Sequence, residues 1–343
     1  MPDPNTTESL ISPRQWRDGL YHVSLPEFRK DPLWANMMES ATQAAVQIMK
    51  EGVGNKDVLL NSERNLSMLI RRLVKTVGLD KQDILLQAIQ GKVEEFISHP
   101  TLRDIADYVL ADAQYNYHIE NPEFKSITNE LGVTARTICN YGTPRELEPT
   151  FDTPFSGKYQ VNPYKDYDKR ARECKDKYSD TKRCMHAQLT KLVISPQGDY
   201  NFDETNNDEV TLTKTTNSSW WHTDVSNFDK IWNHINTLYG DLSTLVSTDT
   251  QNLLAEAKTL LISQIGWWYF QAMPYTRGSS AAGISLIQSL FDYSGIKNSP
   301  YKDGVAPDLE ALVTPLPMYS KNFVGFFQQA LEPIKDTSSG LNT

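Results

Sequence analysis

The spacing of hydrophobic residues predicts helices over the first third of the chain. Apolar side chains recur at intervals of three and four residues in four successive segments between residues 31 and 121, the pattern of helices that bury one face. The first segment stops at Gly52, and the second opens on Asn61 or Ser62 as its cap. The second stops at Gly78, and the fourth begins from a Thr101 cap. Amphipathic helices joined by short links indicate a helical bundle or array.

Helical spacing returns after residue 229 and is strongest between about Asp249 and Ala272. Apolar residues cover more than half of this segment's helical surface, which is typical of a central helix. Pro274 disfavours helical geometry in the residue before it, so this helix is predicted to end at about Ala272. A further helix follows the next turn, and "DLEALV" and "SKNFVGFFQQALEP" predict two more.

Between residues 140 and 229 the helical pattern is lost. The segments "AQLTKLVIS" and "EVTLTKT" alternate apolar with polar residues and flank a turn-rich stretch, which predicts a β-hairpin. The sequence therefore predicts a mainly α fold: a multi-helix bundle with a polar middle lobe that contains a small β-hairpin. Its predicted regions are a loosely ordered N-terminal arm (1–30), an N-terminal helical region (31–139), the polar connecting lobe with the hairpin (140–229), a C-terminal helical region (230–333) and a tail (334–343).

Composition excludes several classes of partner. The 343 residues carry a formal net charge of −9, which argues against binding to nucleic acid or to an anionic membrane surface. No apolar run approaches the roughly 20 residues of a membrane span, and the first residues lack the pattern of a signal peptide. The three cysteines match no zinc-binding spacing, so no metal site is predicted.

The stretch "WWYFQAMPYTRGSSAAG" is the densest candidate for chemistry. It predicts a buried helix, a sharp turn and a second helix whose first amides are free to bind an anion. Arg277 would hold a phosphate, and Ser279, Ser280 and the amides after Gly278 would complete the site, with Tyr275 beside it in the turn. ATP or another nucleotide is the candidate ligand. In the alternative, Arg277 pairs with a protein carboxylate and the serines only cap a helix.

Two other loops contain candidate functional residues. In "WWHTD", His222 with Asp224 forms a candidate general base, and the alternative is an aromatic anchor that fixes the polar lobe to the bundle. The segment with Arg145, Glu146 and Glu148 is charged and lies between prolines, which favours a solvated surface loop over the alternative of a catalytic carboxylate.

The turn resembles the Fic (Fido) family, whose loop reads His-Pro-Phe-x-x-Gly-Asn-Gly-Arg. "MPYTRGSSA" matches it at Pro274, at Tyr275 in place of Phe and at Gly278. The resemblance implies a helix, an anion-holding loop and a second helix that position a nucleotide for AMP transfer. Met273 stands where the family has its base histidine and Ala281 where it has its phosphate arginine, so the family's usual chemistry is not implied.

A second resemblance is to type IV secreted effectors of the Legionella type. The chain ends in "IKDTSSGLNT", a small polar tail with Leu341 third from the end. The resemblance implies a protein made in the bacterial cytoplasm and exported to the host cytosol without a signal peptide. The resulting hypothesis is a secreted effector that binds a nucleotide or phosphorylated ligand and transfers part of it to a host protein. The alternative is a non-enzymatic helical effector that binds a host protein through its surface.

Overall fold

The structure is a computed structural model with a mainly α fold, as the sequence predicts. It describes residues 32–54, 56–78, 82–120, 141–147, 225–249, 253–297 and 305–334, the single positions 223, 299, 301 and 302, and four strand pieces between residues 191 and 221. The predicted arm (1–30), the tail after residue 334 and most of the predicted polar lobe lie outside these residues.

Six helices form the N-terminal part of the described chain. They are α1 (Pro32–Glu51), α2 (Asp57–Leu60), α3 (Glu63–Val77), α4 (Gln82–Ser98), α5 (Leu102–Ile105) and α6 (Ala111–Glu120). The predicted caps are confirmed: the Ser62 hydroxyl accepts the Asn65 amide at the start of α3, and Thr101 forms a capping box with Asp104. Gly78 ends α3 with a φ of 88°, a conformation that favours glycine.

A π-helical turn, Ala106–Leu110, joins α5 to α6. The sequence predicts one regular helix from Thr101 onward, and the hydrophobic spacing gives no sign of the wider turn. π-Turns are rare and occur frequently at functional sites. This one buries Asp107, which is 2% exposed.

Five helices form the C-terminal part. They are α7 (Phe228–Thr248), α8 (Ala255–Ala272), α9 (Ser279–Tyr293), α10 (Pro307–Val313) and α11 (Leu316–Asn322). As predicted, α8 is central, because it packs against α7, α9, α10 and α11. It also ends at Ala272 as predicted, and Met273 takes a left-handed φ of 41° before Pro274.

Two predictions for this part are wrong in detail. Helix α8 begins at Ala255 rather than near Asp249, and Leu253 is 77% exposed, because the Asp249 carboxylate accepts the amides of residues 253 and 254 and holds them outside the helix. The predicted helix "SKNFVGFFQQALEP" is also absent: a 3₁₀ turn, Phe323–Phe326, follows α11, and the Phe326 carbonyl then accepts the Lys302 amide instead of continuing a helix.

The strands form three short antiparallel pairs. Strand β1 (Lys191–Val193) pairs with β4 (Ser219–Trp221), β2 (Asn201–Phe202) pairs with β3 (Leu212–Thr213), and β5 (Ile296–Lys297) pairs with β6 (Glu332–Pro333). The lobe does contain a small antiparallel hairpin, β2 with β3, but the predicted pairing is wrong. "AQLTKLVIS" pairs with the tryptophan segment, and "EVTLTKT" pairs with a strand inside the predicted turn. Aromatic residues have high strand propensity, which the prediction for 219–221 overlooked.

One hydrophobic core includes side chains from both helical parts. Helix α9 packs on α1 as well as on α8. Small residues at its start permit the close approach, because a Cβ at Gly283 would overlap the rings of Tyr269 and Phe270. Among the described helices, none is long and apolar enough to cross a membrane.

Candidate functional site

Residues 273–278 form the turn between α8 and α9, and this turn with its surroundings is called the Arg277 corner. Gly278 precedes α9 with a φ of 87°, and its carbonyl accepts a hydrogen bond from Gln114 Nε2 at 3.0 Å. A Cβ at this position would overlap the Gln114 side-chain amide, so the corner requires glycine.

An extended segment from the middle of the chain pairs with the turn. The Gly142 amide donates to the Arg277 carbonyl, the Thr276 amide to the Thr143 carbonyl, and the Arg145 amide to the Pro274 carbonyl, each at 2.9 Å. These main-chain bonds hold residues 141–145 and the turn in one fixed arrangement.

Tyr275 is a buried support of the corner. Its ring is 3% exposed, and its hydroxyl donates to Asp107 Oδ1 at 2.7 Å. Burial and the nearby Asp107 charge raise the pKa of Tyr275 well above its ordinary value. The hydroxyl of this tyrosine, which the sequence predicts beside the ligand, therefore donates to a carboxylate of the protein itself.

Asp107 lies at the centre of an ionic network beneath the corner. Its Oδ2 atom is 2.6 Å from Arg72 Nη1 and 4.0 Å from Arg103 Nε. Burial alone raises the pKa of Asp107, but Arg72, Arg103 and the Tyr275 hydroxyl outweigh burial and hold the pKa below its usual value. Glu146 accepts from both arginines, at 2.7 Å and 2.6 Å.

The burial of Arg145 shows that the prediction of a solvated surface loop is wrong here. Arg145 is 6% exposed, and its Nη1 donates to the Thr223 and Ala272 carbonyls at 2.9 and 3.0 Å. Its partners come from distant parts of the chain, so no local pattern predicts its burial.

Arg277, in contrast, is exposed at the outer edge of the corner. Its guanidinium lies over the Tyr141 ring at 5.8 Å, and that ring stacks on His118 at a centroid distance of 3.4 Å. No described carboxylate lies within ion-pair distance of the Arg277 guanidinium. The carboxylate partner expected in the alternative interpretation is thus not found among the described residues.

The two serines differ in their surroundings. Ser279 Oγ accepts the Tyr275 amide at 2.8 Å and donates to the Tyr275 carbonyl at 2.9 Å, so it fastens the turn. The N-cap position of α9 belongs to Gly278, which has no side chain to cap the helix. The Ser280 hydroxyl is buried and faces Asp308, at the start of α10.

Asp308 is a carboxyl that the sequence reasoning missed. Burial raises its pKa, and the Ser280 hydroxyl with the first amides of α10 only partly offsets this effect. Among the described residues, neither Ser280 Oγ nor Asp308 Oδ1 has a hydrogen-bond partner. Such buried polar atoms call for an ordered water, an ion or a ligand group as partner.

Other predicted site residues lie outside the described part of the chain. His222 and Asp224 are among them, although the Thr223 carbonyl between them is bound by Arg145. The three cysteines are also outside it, and the described residues contain no cluster of three or more side chains suited to a metal ion.

In a comparison with known protein families, one family model matches part of the chain. The family model of the AvrB_AvrC avirulence proteins matches residues 189–330, less than half of the chain, and the match includes the Arg277 corner. The match supports a bacterial secreted effector delivered into host cells, where it acts on host proteins. It adds no support to the Legionella-type or Fic resemblances. No curated protein matches the chain significantly.

Proposed function

We propose that this effector holds a nucleotide or another phosphorylated group at the Arg277 corner and transfers part of it to a host protein. The observation that carries the proposal is the exposed Arg277 guanidinium beside the start of α9, with no carboxylate partner among the described residues. A planar guanidinium suits phosphate oxygens because it can donate two parallel hydrogen bonds.

The start of α9 adds further donors. Its Ala282 amide bonds back to the Gly278 carbonyl, so the amides of residues 279–281 precede the first intrahelical hydrogen bond. Helix N-terminal amides carry partial positive charge and attract anions. The N-cap residue Gly278 has no side chain that could bond to these amides, and we propose that phosphate oxygens accept hydrogen bonds from them.

In this proposal, two residues that the sequence predicts as ligand contacts support the turn instead. Tyr275 and Ser279 use their polar atoms inside the turn, so they position the corner rather than contact the ligand. Arg277, Ser280 and the amides after Gly278 form the phosphate side of the proposed site.

Asp308 supplies a group for the rest of the ligand or for the acceptor. A buried carboxylate accepts hydrogen bonds from hydroxyl groups such as those of a ribose. A carboxyl of raised pKa also suits proton removal from an acceptor hydroxyl. His222 with Asp224 remains the second candidate base, and separate Asp308→Asn and His222→Ala variants distinguish the two in a transfer assay.

Calorimetric titration with ATP, adenosine and inorganic phosphate tests the binding step. We expect Arg277→Ala to weaken ATP binding by about 1.5–3 kcal/mol, roughly tenfold to 150-fold, because a charge-assisted hydrogen bond is lost. Lys321→Ala removes an exposed charge on α11 and is the matched control. No binding of ATP or phosphate by the unmodified chain, or equal binding by Arg277→Ala, would contradict the proposal.

A non-enzymatic effector that binds a host protein through its helical surface is the second candidate. The exposed leucines at positions 253, 254 and 260, on and before the first turns of α8, favour it. Loss of host-protein binding on changing these leucines to serine, with no ATP binding by the parent chain, would favour this candidate.

For delivery, we propose that the tail 334–343 carries the export signal. The Ile334 amide still bonds to the Gly295 carbonyl, so truncation after residue 334 is the cleaner test of the tail. We expect an unchanged melting temperature and lost translocation of a fused reporter. Unchanged translocation of the truncated chain would refute the signal.

A further inference from the structure

A second concave site lies between α1, the start of α3 and α6. This groove has a volume of about 770 Å³, within the range of ligand-binding pockets. Its lining includes the apolar residues Met37, Ala41 and Val109, called its floor here, and polar residues of α1 and α6, called its polar walls. None of its lining residues belongs to the turn at residues 273–278.

The polar walls have a spacing that suits an extended polypeptide. Asn36 and Ser40 are four residues apart on α1, and Asp112 and Asn116 are four residues apart on α6. Four residues of helix rise about 6 Å, and two residues of extended chain span about 6.6 Å. Alternate main-chain groups of a bound strand can therefore meet side chains on both walls.

Asp112 gives the groove an anionic group. Its oxygens accept Ser62 Oγ at 2.5 Å and Asn116 Nδ2 at 2.9 Å, and no ion pair to it occurs among the described residues. Arg64 also lines the groove, but it donates to the Asn65 side chain and to the Asp107 and Gly142 carbonyls. The hydrogen bonds of this cation therefore go to other groups than the Asp112 carboxyl.

We propose that this groove binds an extended segment of a partner polypeptide that carries a lysine or arginine opposite Asp112. The asparagine and serine side chains of the walls bond to its main-chain groups, and an apolar neighbour of the basic residue lies on the floor. The site is separate from the Arg277 corner and does not depend on the function proposed there.

The pKa of Asp112 gives the proposal a characteristic pH dependence. Burial raises this pKa, although Ser62, Arg64 and Asn116 act against burial. A bound cation favours the ionised carboxylate, so binding lowers the pKa and affinity rises as the pH rises through the pKa of the free protein. Glu63 of α3, Tyr108 of the π-turn and Tyr115 of α6 are the other titratable groups that line the groove.

The test uses the full chain and immobilised libraries of capped decapeptides whose central residue is fixed as Lys, Arg, Gln or Glu. We expect at least tenfold stronger binding to the Lys and Arg libraries than to the Gln and Glu libraries. Ser40→Trp fills the groove and should abolish binding, whereas Gln43→Trp, at an exposed position of α1 outside the groove, should not.

Asp112→Asn should remove the preference for basic residues and its pH dependence. A thermal melt of each variant checks folding, and Asn36→Trp replaces Ser40→Trp if the latter unfolds. Equal binding of the Lys and Gln libraries, no peptide binding at all, or binding that survives both tryptophan variants would overturn the proposal. Groove-dependent binding to a neutral glycan array without peptide binding would overturn it as well.

Discussion

Arg145 and Arg277 lie at opposite ends of one paired structure, the segment 141–145 against the turn 273–278, and their surroundings are opposite. Arg145 is buried, bonds to two carbonyls and lies over the Phe228 ring at 5.4 Å. Arg277 is exposed, and its guanidinium lies over the Tyr141 ring without an ion pair to any described carboxylate.

The difference separates an arginine that holds the fold from one that is available to a ligand. The Arg145 guanidinium bonds the Ala272 carbonyl at the end of α8, which fixes where the turn begins. The Arg277 guanidinium makes no such bond to the described residues, so its removal leaves none of their buried carbonyls unbonded. Predictions at the buried end therefore concern stability, and those at the open end concern binding.

The largest effect is expected for Asp107→Ala, which removes the anion beneath the buried end. Arg72 and Arg103 would lose a buried partner, and breaking a buried ion pair costs about 3–5 kcal/mol. Urea unfolding measures the loss. Asp229→Ala is the control, because Asp229 also pairs with Arg103 but is 88% exposed, and it should change the free energy of unfolding little.

The loss of stability caused by Asp107→Ala should also depend on pH. The pKa of Asp107 is lower in the folded protein than in the unfolded chain, so its contribution to stability is present above the unfolded value near 3.8 and is lost as the pH falls toward the folded value. The stability difference between the parent chain and Asp107→Ala should therefore shrink below about pH 4. A constant difference from pH 7 to pH 3 would contradict the assigned direction.

Arg145→Ala should have the next largest effect, a loss of about 3 kcal/mol. It leaves the Thr223 and Ala272 carbonyls buried without a donor, and an unsatisfied buried group costs about 1–3 kcal/mol. Denaturant unfolding at pH 7 measures the loss, with Arg145→Lys expected to recover part of it. An unchanged free energy of unfolding for Arg145→Ala would contradict this, because it would mean that the Arg145 end is as open as the Arg277 end.

Tyr275→Phe should lower stability by about 1.5 kcal/mol, since it removes a hydrogen bond to a charged carboxylate and keeps the ring. ATP affinity should change by less than about threefold, because the hydroxyl supports the corner and does not contact the ligand. A loss of affinity as large as that of Arg277→Ala, with unchanged stability, would instead return Tyr275 to the binding site.

The end of α8 and the caps of α3 and α5 could be predicted because Pro274, Ser62 and Thr101 act on residues beside them in sequence. The pairing of Arg145 with Pro274 could not, since the partners are more than a hundred residues apart and share no periodic pattern. Asp308 was missed for the same reason: only the folded chain brings it to Ser280.

The central claim is that the Arg277 end binds a phosphorylated ligand without holding the fold. Thermal melts of the parent chain and Arg277→Ala, each with and without saturating ATP, test it most directly. The account predicts equal melting temperatures without ATP, a rise for the parent chain at ATP concentrations far above Kd, and a much smaller rise for the variant. A lower melting temperature of Arg277→Ala without ATP, together with no ATP-dependent rise in the parent chain, would contradict it.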